Sequence, residues 1–211
     1  MKPQQIISVC IVLVPLAFSG GYYLGNAARL APGQKEIEVH FSPQGGCTEA
    51  VVNELQRAGK MIQVQAYSFT SRPIAQALVA AQRRGVKVTV ILDPSNREDP
   101  NSRASSLVAA GVPTYIDPEH PIAHNKIMLI DGLSIVTGSF NFTNAAERAN
   151  AENLLVIHDD PPLCAAYDQN FREHLAHSAP FQDDPGPRHG RQPTRAKHPR
   201  HSHTEQPAES R

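Results

Sequence analysis

The sequence runs to 211 residues, enough for one domain with a real core plus extensions, and 40% of it is apolar but only 6% aromatic. Twenty Lys and Arg balance twenty Asp and Glu. Such a chain is neither a globally basic nucleic-acid binder nor an acidic one, so any polyanionic partner must be met by a local patch.

The N-terminal segment is the first distinct region. Lys2 is the only charge before Arg29, and an apolar run from Ile6 to Phe18 lies between them. Its length suits the hydrophobic region of an export signal and is short for a membrane span. Ala17-Phe18-Ser19 and Gly25-Asn26-Ala27 are small-x-small cleavage sites. Tyr22, Tyr23 and Leu24 extend the apolar stretch, so a retained membrane anchor is the alternative. Residues 1–30 are therefore expected to be a signal peptide or N-terminal anchor. The product would be exported, periplasmic or secreted, or anchored to the membrane. The fold should begin near Lys35.

From there, "EIEVHF" (36–41) alternates as a strand does, and "CTEAVVNELQRAG" (47–59) carries helical spacing with Gly59 as a stop. "MIQVQAYSF" (61–69) is a second strand. "RPIAQALVAAQRRG" (72–85) is a helix, with Pro73 in its first turn, Arg83 and Arg84 in its last, and Gly85 after it. "VKVTVILD" (86–93), "NSRASSLVAAG" (101–111) and "VPTYID" (112–117) continue the strand–helix–strand alternation. A βαβαβαβ order implies a largely parallel sheet covered by helices. Then "AHNKIMLID" and "LSIVTGS" flank Asp131-Gly132 as a hairpin, "NLLVIHD" (153–159) adds a strand, and "LCAAYDQNFREHLAH" (163–177) a last helix. The expected fold is α/β with a mixed, largely parallel sheet flanked by helices, over residues 35–178. From 180 to 211 the chain is rich in Pro, His and Arg, and its composition predicts a disordered tail. Cys47 and Cys164 lie on distant elements, and their pairing stays open. The absence of a CxxC or local Cys/His grouping argues against a zinc site, so no metal and no cofactor are expected.

The chemistry concentrates in "HNKIMLID" and "TGSFNFTN". On a strand His124 and Lys126 project to one side, and two such groups at a strand mouth call for an anion. Gly138 would let backbone approach a ligand, and Ser139 and Asn141 add a hydroxyl and an amide. Together with Asp131 these residues give the spacing H-x-K-x4-D-x6-G-S-x-N. That spacing resembles the HKD signature of the phospholipase D superfamily. "QVQAYSFTSRPIAQALVAAQRRGVKVTVILD" and "GSFNFTNAAERANAENLLVI" extend the likeness to about residues 36–177, toward the short single-motif bacterial endonucleases and phospholipase D-like proteins of that superfamily, one HKD half per chain.

The resemblance implies a metal-independent phosphodiesterase in which one histidine attacks phosphorus and a second protonates the leaving alkoxide. It implies catalytic roles for His124, Lys126, Asp131, Ser139, Asn141 and Glu152, with Lys126, Ser139, Asn141 and Gly138 holding substrate, and it suggests Glu152 as the carboxylate that orients an imidazole. The residues themselves qualify one member: Asp131 has odd parity from His124, which favours a structural role. An ammonium beside His124 also disfavours a divalent cation there. Only His124 is followed by Lys at the second position, so two histidines at one phosphate imply a homodimer with its two-fold axis through the site. Two coupled imidazoles imply a bell-shaped pH–rate profile. The substrate is open between nucleic acid and phospholipid, with a catalytically inactive phosphate-binding module as a third reading. Shortness of the chain, the aromatics Tyr67, Phe69, Phe140 and Phe142, and a possible patch of Arg72, Arg83, Arg84, Arg97, Arg103 and Arg148 lean toward nucleic acid. A retained N-terminal segment would bring the site to phospholipid and make membrane contact.

Overall fold

The computed structural model describes residues 35–182. In chain order they form β1 (Glu36–Ser42), α1 (Cys47–Arg57), β2 (Met61–Ala66), α2 (Arg72–Arg83), β3 (Lys87–Leu92), a 3-10 turn (Pro94–Arg97), α3 (Ala104–Ala109), β4 (Thr114–Ile116), β5 (Lys126–Ile130), β6 (Ser134–Gly138), α4 (Asn144–Arg148), β7 (Glu152–His158), α5 (Pro161–His177) and β8 (Ala179–Pro180). The expected N-terminal signal or anchor lies outside the described residues, as does the tail beyond Gln182.

Local sequence explains most of these elements. Cys47, Val51, Glu54 and Leu55 place one buried stripe along α1, and Ile74, Ala75, Leu78 and Ala81 do the same for α2. Pro73 occupies the first turn of α2, where a missing amide proton costs nothing, and Gly85 follows the helix at φ 91°. Arg84 folds back onto the end of α1, donating to the carbonyls of Leu55, Gln56 and Ala58, and thereby satisfies helix-terminal acceptors.

The eight strands form one sheet in the order β1-β7-β6-β5-β2-β3-β4-β8. Only β2–β3 and β3–β4 are parallel; the other five neighbouring pairs are antiparallel. The sheet is thus mixed and mostly antiparallel rather than largely parallel. The difference comes from β1. Instead of starting a βαβ unit beside β2, it crosses to the far edge and pairs antiparallel with all of β7, Glu36 opposite His158 and Ser42 opposite Glu152. Its side chains announce an edge strand: Ile37, Val39 and Phe41 are 63%, 51% and 63% exposed, on one face.

Helices cover the two faces unequally. The main core lies under α1 and α2, with Val51, Leu55, Ile74 and Leu78 against Val64, Val90, Met128, Val136 and Val156. A smaller cluster of Leu129, Ile135 and Cys164 lies under α5, with Ile157, Leu163 and Tyr167 around it. Cys47 belongs to the first cluster and Cys164 to the second, so the sheet stands between them and both are free thiols. The domain also runs past the expected boundary at 178. Ala179–Pro180 pairs with β4, the Phe181 amide donates to the Thr114 carbonyl at 2.8 Å, and the Phe181 ring packs into the main core. A single large aromatic anchored by one backbone bond outweighs the polar composition that follows it.

Candidate active site

The site forms where several strand ends meet at one edge of the sheet. Antiparallel pairing brings Ala66, the last residue of β2, opposite Lys126, the first of β5. Gly138 at the end of β6 stands opposite Leu154, and Glu152 opens β7 next to it. Beyond Ala66 the chain leaves the ladder: the Tyr67 amide bonds the Asn125 carbonyl at 2.8 Å, and Phe69 bridges Phe142. These links hold the segment carrying His124 against the segment after Gly138.

His124 lies two residues before β5, exposed, with its ring 4.7 Å from the Tyr67 ring. Among the described residues no side chain or backbone group hydrogen-bonds its ring nitrogens. Lys126 is the opposite case. It is 6% exposed, its Nζ donates to the His124 carbonyl at 3.0 Å, and it lies 5.1 Å from the Tyr67 ring centre. Burial pushes its pKa down, and the negative charge of Glu152 works against that shift. The ammonium is therefore a desolvated charge fixed beside an unencumbered imidazole. Lys126 thus stands at the strand mouth without being open to solvent, its ammonium beside the Tyr67 ring.

Ser139 and Glu152 are brought together, but in a way that changes the role of the serine. Its Oγ donates to Glu152 Oε2 at 2.6 Å and accepts from the Asn153 amide at 3.1 Å. Glu152 Oε1 accepts from Asn150 Nδ2 at 3.0 Å. The single hydroxyl proton of Ser139 is spent on the carboxylate, so Ser139 positions Glu152 instead of donating to a phosphate. The extended conformation expected to align Ser139 with Asn141 stops at Gly138. Asn141 remains uncommitted: its Oδ1 is buried and without a hydrogen-bond partner. Gly138 owes its identity to the fold. At φ 143° an added Cβ would meet the Asn153 carbonyl oxygen at 2.3 Å, so the close approach is to β7 and not to a ligand.

Asp131 stands at the other end of β5, five residues and about 17 Å from Lys126 along the strand. Its carboxylate accepts from the amides of Gly59, Lys60 and Met61 at 2.8, 2.8 and 2.9 Å, tying the hairpin to the start of β2. Burial opposes its ionisation, and the three amides outweigh burial and hold its pKa below the ordinary value. A catalytic role for Asp131 is incompatible with this position. Its role is structural, at the opposite end of the strand.

Two further expectations change. Phe69, Phe140 and Phe142 are fully buried and cannot stack on bases; of the four aromatics only Tyr67 reaches the site. The arginines are only partly gathered. Arg84 is used as described, whereas Arg72, Arg83 and Arg103 line a groove of about 500 Å³ between α2 and α3. A separate group missed in the sequence joins Asp117, His120, His174 and His177, whose ligand atoms lie within 4.8 Å of one another. The expectation of no metal-ligating cluster rested on local spacing, and the fold assembles this one from a loop and a helix end. Two i, i+3 pairs, Asp117 with His120 and His174 with His177, were its signal in the sequence.

Comparison with known proteins agrees with the geometry. A family model described as "Cardiolipin synthase, PLD-like domain" matches residues 51–175. A phospholipase D of Rickettsia felis is 41% identical over 138 residues, 65% of this chain and 68% of that one. A mitochondrial cardiolipin hydrolase of Xenopus laevis is 34% identical over 118 residues, 56% of each chain. Among solved structures, Nuc from Salmonella typhimurium, a phospholipase D family member, superposes with a TM-score of 0.68 at 33% identity, covering 71% of this chain and 99% of that one. NucT from Helicobacter pylori shares the fold at a TM-score of 0.65 and 22% identity. With this fold, and with His124, Lys126 and Asn141 at one sheet edge, the chain belongs to the phospholipase D superfamily and is a phosphodiester hydrolase of that family.

Proposed function

We propose that the protein cleaves phosphodiesters without a metal, through a covalent phosphohistidine at His124. The observation that carries this reading is the contrast between two neighbouring side chains: an exposed imidazole whose nitrogens are unengaged among the described residues, and a buried ammonium that can meet a phosphate oxygen. An His124 ring nitrogen attacks phosphorus, the bond to the leaving oxygen breaks, and that alkoxide takes a proton from a second imidazole. Water then gives its proton back to that imidazole, attacks phosphorus, and releases His124. Lys126 and the Asn141 amide stabilise charge on the non-bridging oxygens, where preorganised donors are worth most. Glu152, held by Ser139 and Asn150, raises the local negative potential that keeps Lys126 charged.

The second imidazole is assigned to a second copy of the chain. Each chain supplies one H-x-K, and the exposed Ile37, Val39 and Phe41 offer an apolar face on β1, whose far end reaches Glu152. Phe41→Glu should then yield a monomer with little activity by sedimentation and turnover assays. A monomer fully active at nanomolar concentration overturns the assignment.

Nucleic acid is the favoured substrate, because the Arg72, Arg83 and Arg103 groove begins near the site end of α2 and suits a phosphate backbone. Phospholipid is the second reading, favoured by the name phospholipase D carried by relatives 41% identical. The apolar N-terminal segment supports placement outside the cytoplasm, exported or anchored. The deciding experiment offers plasmid DNA, RNA and phosphatidylcholine vesicles separately to the protein and to His124→Asn, with excess chelator. Cleavage by the parent alone, with a phosphoramidate trapped at position 124, supports the reading. Rescue that requires Mg²⁺ sinks the metal-free mechanism, and phosphate binding without cleavage by either protein points to an inactive module.

A further inference from the structure

Asp117 is the least accessible carboxylate among the described residues, 0% exposed, yet it is encircled by three imidazoles. His174 Nδ1 is 2.6 Å from its Oδ2, His120 Nδ1 is 3.3 Å from the same oxygen, and His177 Nε2 is 3.1 Å from Oδ1. The three rings pack on one another with centroids 5.0 to 5.5 Å apart. Three imidazoles and one carboxylate make a complete nitrogen and oxygen ligand set.

We propose that Asp117, His120, His174 and His177 form a structural site for a first-row divalent transition metal, with zinc as the best fit. Three imidazoles and a carboxylate suit zinc and disfavour calcium or magnesium, which prefer all-oxygen shells. A tetrahedral zinc shell places its ligand atoms about 3.4 Å apart, so atoms already within 4.8 Å need a contraction on the order of an ångström. The surroundings fit as well. His177 turns its other nitrogen, Nδ1, to Glu119 Oε2 at 3.1 Å, the carboxylate support that metal-bound histidines usually have. Asp117 Oδ1 is also held by the Glu119 amide at 3.1 Å.

With four protein ligands the shell is closed, so the metal has no open position for a substrate, and its work is mechanical. Asp117 and His120 begin the loop that ends at His124, and His174 and His177 lie on the last turns of α5. One ion would fasten that loop to α5 and to β8 beside it. A cavity of about 10 Å³ lies between the cluster and the site, lined by Asp117, His174, Ala123 and Asn125. Gln65, 3% exposed, borders the same cavity with both polar amide atoms unpartnered. The cluster and the residues flanking His124 thus line one small cavity.

The test uses the full-length protein, stripped with chelator and reloaded with zinc or cobalt(II), beside His120→Ala, His177→Ala and Glu119→Gln. The His-rich C-terminal segment is common to all four and cancels in the comparison. The parent should hold one more tightly bound zinc per chain than His120→Ala or His177→Ala, by elemental analysis after dialysis against a weak chelator. Its cobalt form should show the intense visible bands of four-coordination, absent in those two variants. Glu119→Gln should keep the site but weaken it by roughly 10- to 100-fold. Equal metal content in the parent and both histidine variants, or only the weak bands of six-coordinate cobalt, overturns the proposal. Because the readout is metal content and spectrum, the result stands apart from whether the protein cleaves DNA or lipid.

Discussion

Two histidine-bearing regions flank the loop from Asp117 to Lys126, and their imidazoles are treated in opposite ways. At the active site the His124 ring lies 4.7 Å from the Tyr67 ring, and among the described residues no group hydrogen-bonds its nitrogens. At the other end of the loop His120, His174 and His177 each direct a nitrogen at the buried Asp117. An imidazole meant to bond phosphorus must keep a lone pair free, whereas one that holds structure gains by spending both nitrogens. On the proposed mechanism, the same side chain serves within one chain as a reactant where it has no partners and as a fastener where it has several.

The sharpest way to break this comparison is to exchange the consequences. His124→Asn should lower turnover on the order of 10³-fold or more while leaving the unfolding midpoint nearly unchanged, because the ring is exposed and unbonded. Loss of stability with retained turnover would reverse the assignment. Lys126→Met keeps the buried volume and removes the charge, and should cost about 10²- to 10³-fold in turnover. Kinetics on parent and variant, with circular dichroism to confirm folding, check it.

His174→Ala probes the other end. It strips Asp117 of its 2.6 Å partner and should destabilise the fold by about 1.5–3 kcal/mol, measured by urea unfolding. The smallest effect is at Asp131, a carboxylate held by backbone amides with no imidazole near it. Its pKa is lowered in the folded state, so its contribution is complete above the ordinary carboxylate pKa and fades as pH falls through the lowered value. Asp131→Asn should cost about 1–2 kcal/mol at pH 7 and less near pH 2, and a difference that grows on acidification would contradict the role given to the three amides.

The active site was more legible in the sequence than the cluster, for a physical reason. His124, Lys126, Gly138, Ser139 and Asn141 fall within eighteen residues on one hairpin, so spacing and strand parity nearly place them. Parity also marked Asp131 as a structural residue, although it lies at the far strand end and not merely on another face. Spacing could not show where protons go: Ser139 is drawn to the start of β7, donating to Glu152 and accepting from the Asn153 amide, and Gly138 is needed because β7 presses on it. The Asp117 cluster joins residues up to sixty positions apart, and only the completed β4–β8 pairing brings them together. The same non-local pairing hid the placement of β1, whose alternating residues suit an edge strand as readily as the start of a parallel unit.

The separation of Cys47 and Cys164 by the sheet carries a consequence for where the domain can exist. Burial drives the Cys47 thiol up to about 11 and raises that of Cys164, so neither is a ready thiolate. The domain has no crosslink to form in an oxidising space and none to lose in a reducing one. Its architecture is therefore indifferent to redox conditions: the same core forms whether its surroundings oxidise thiols or keep them reduced.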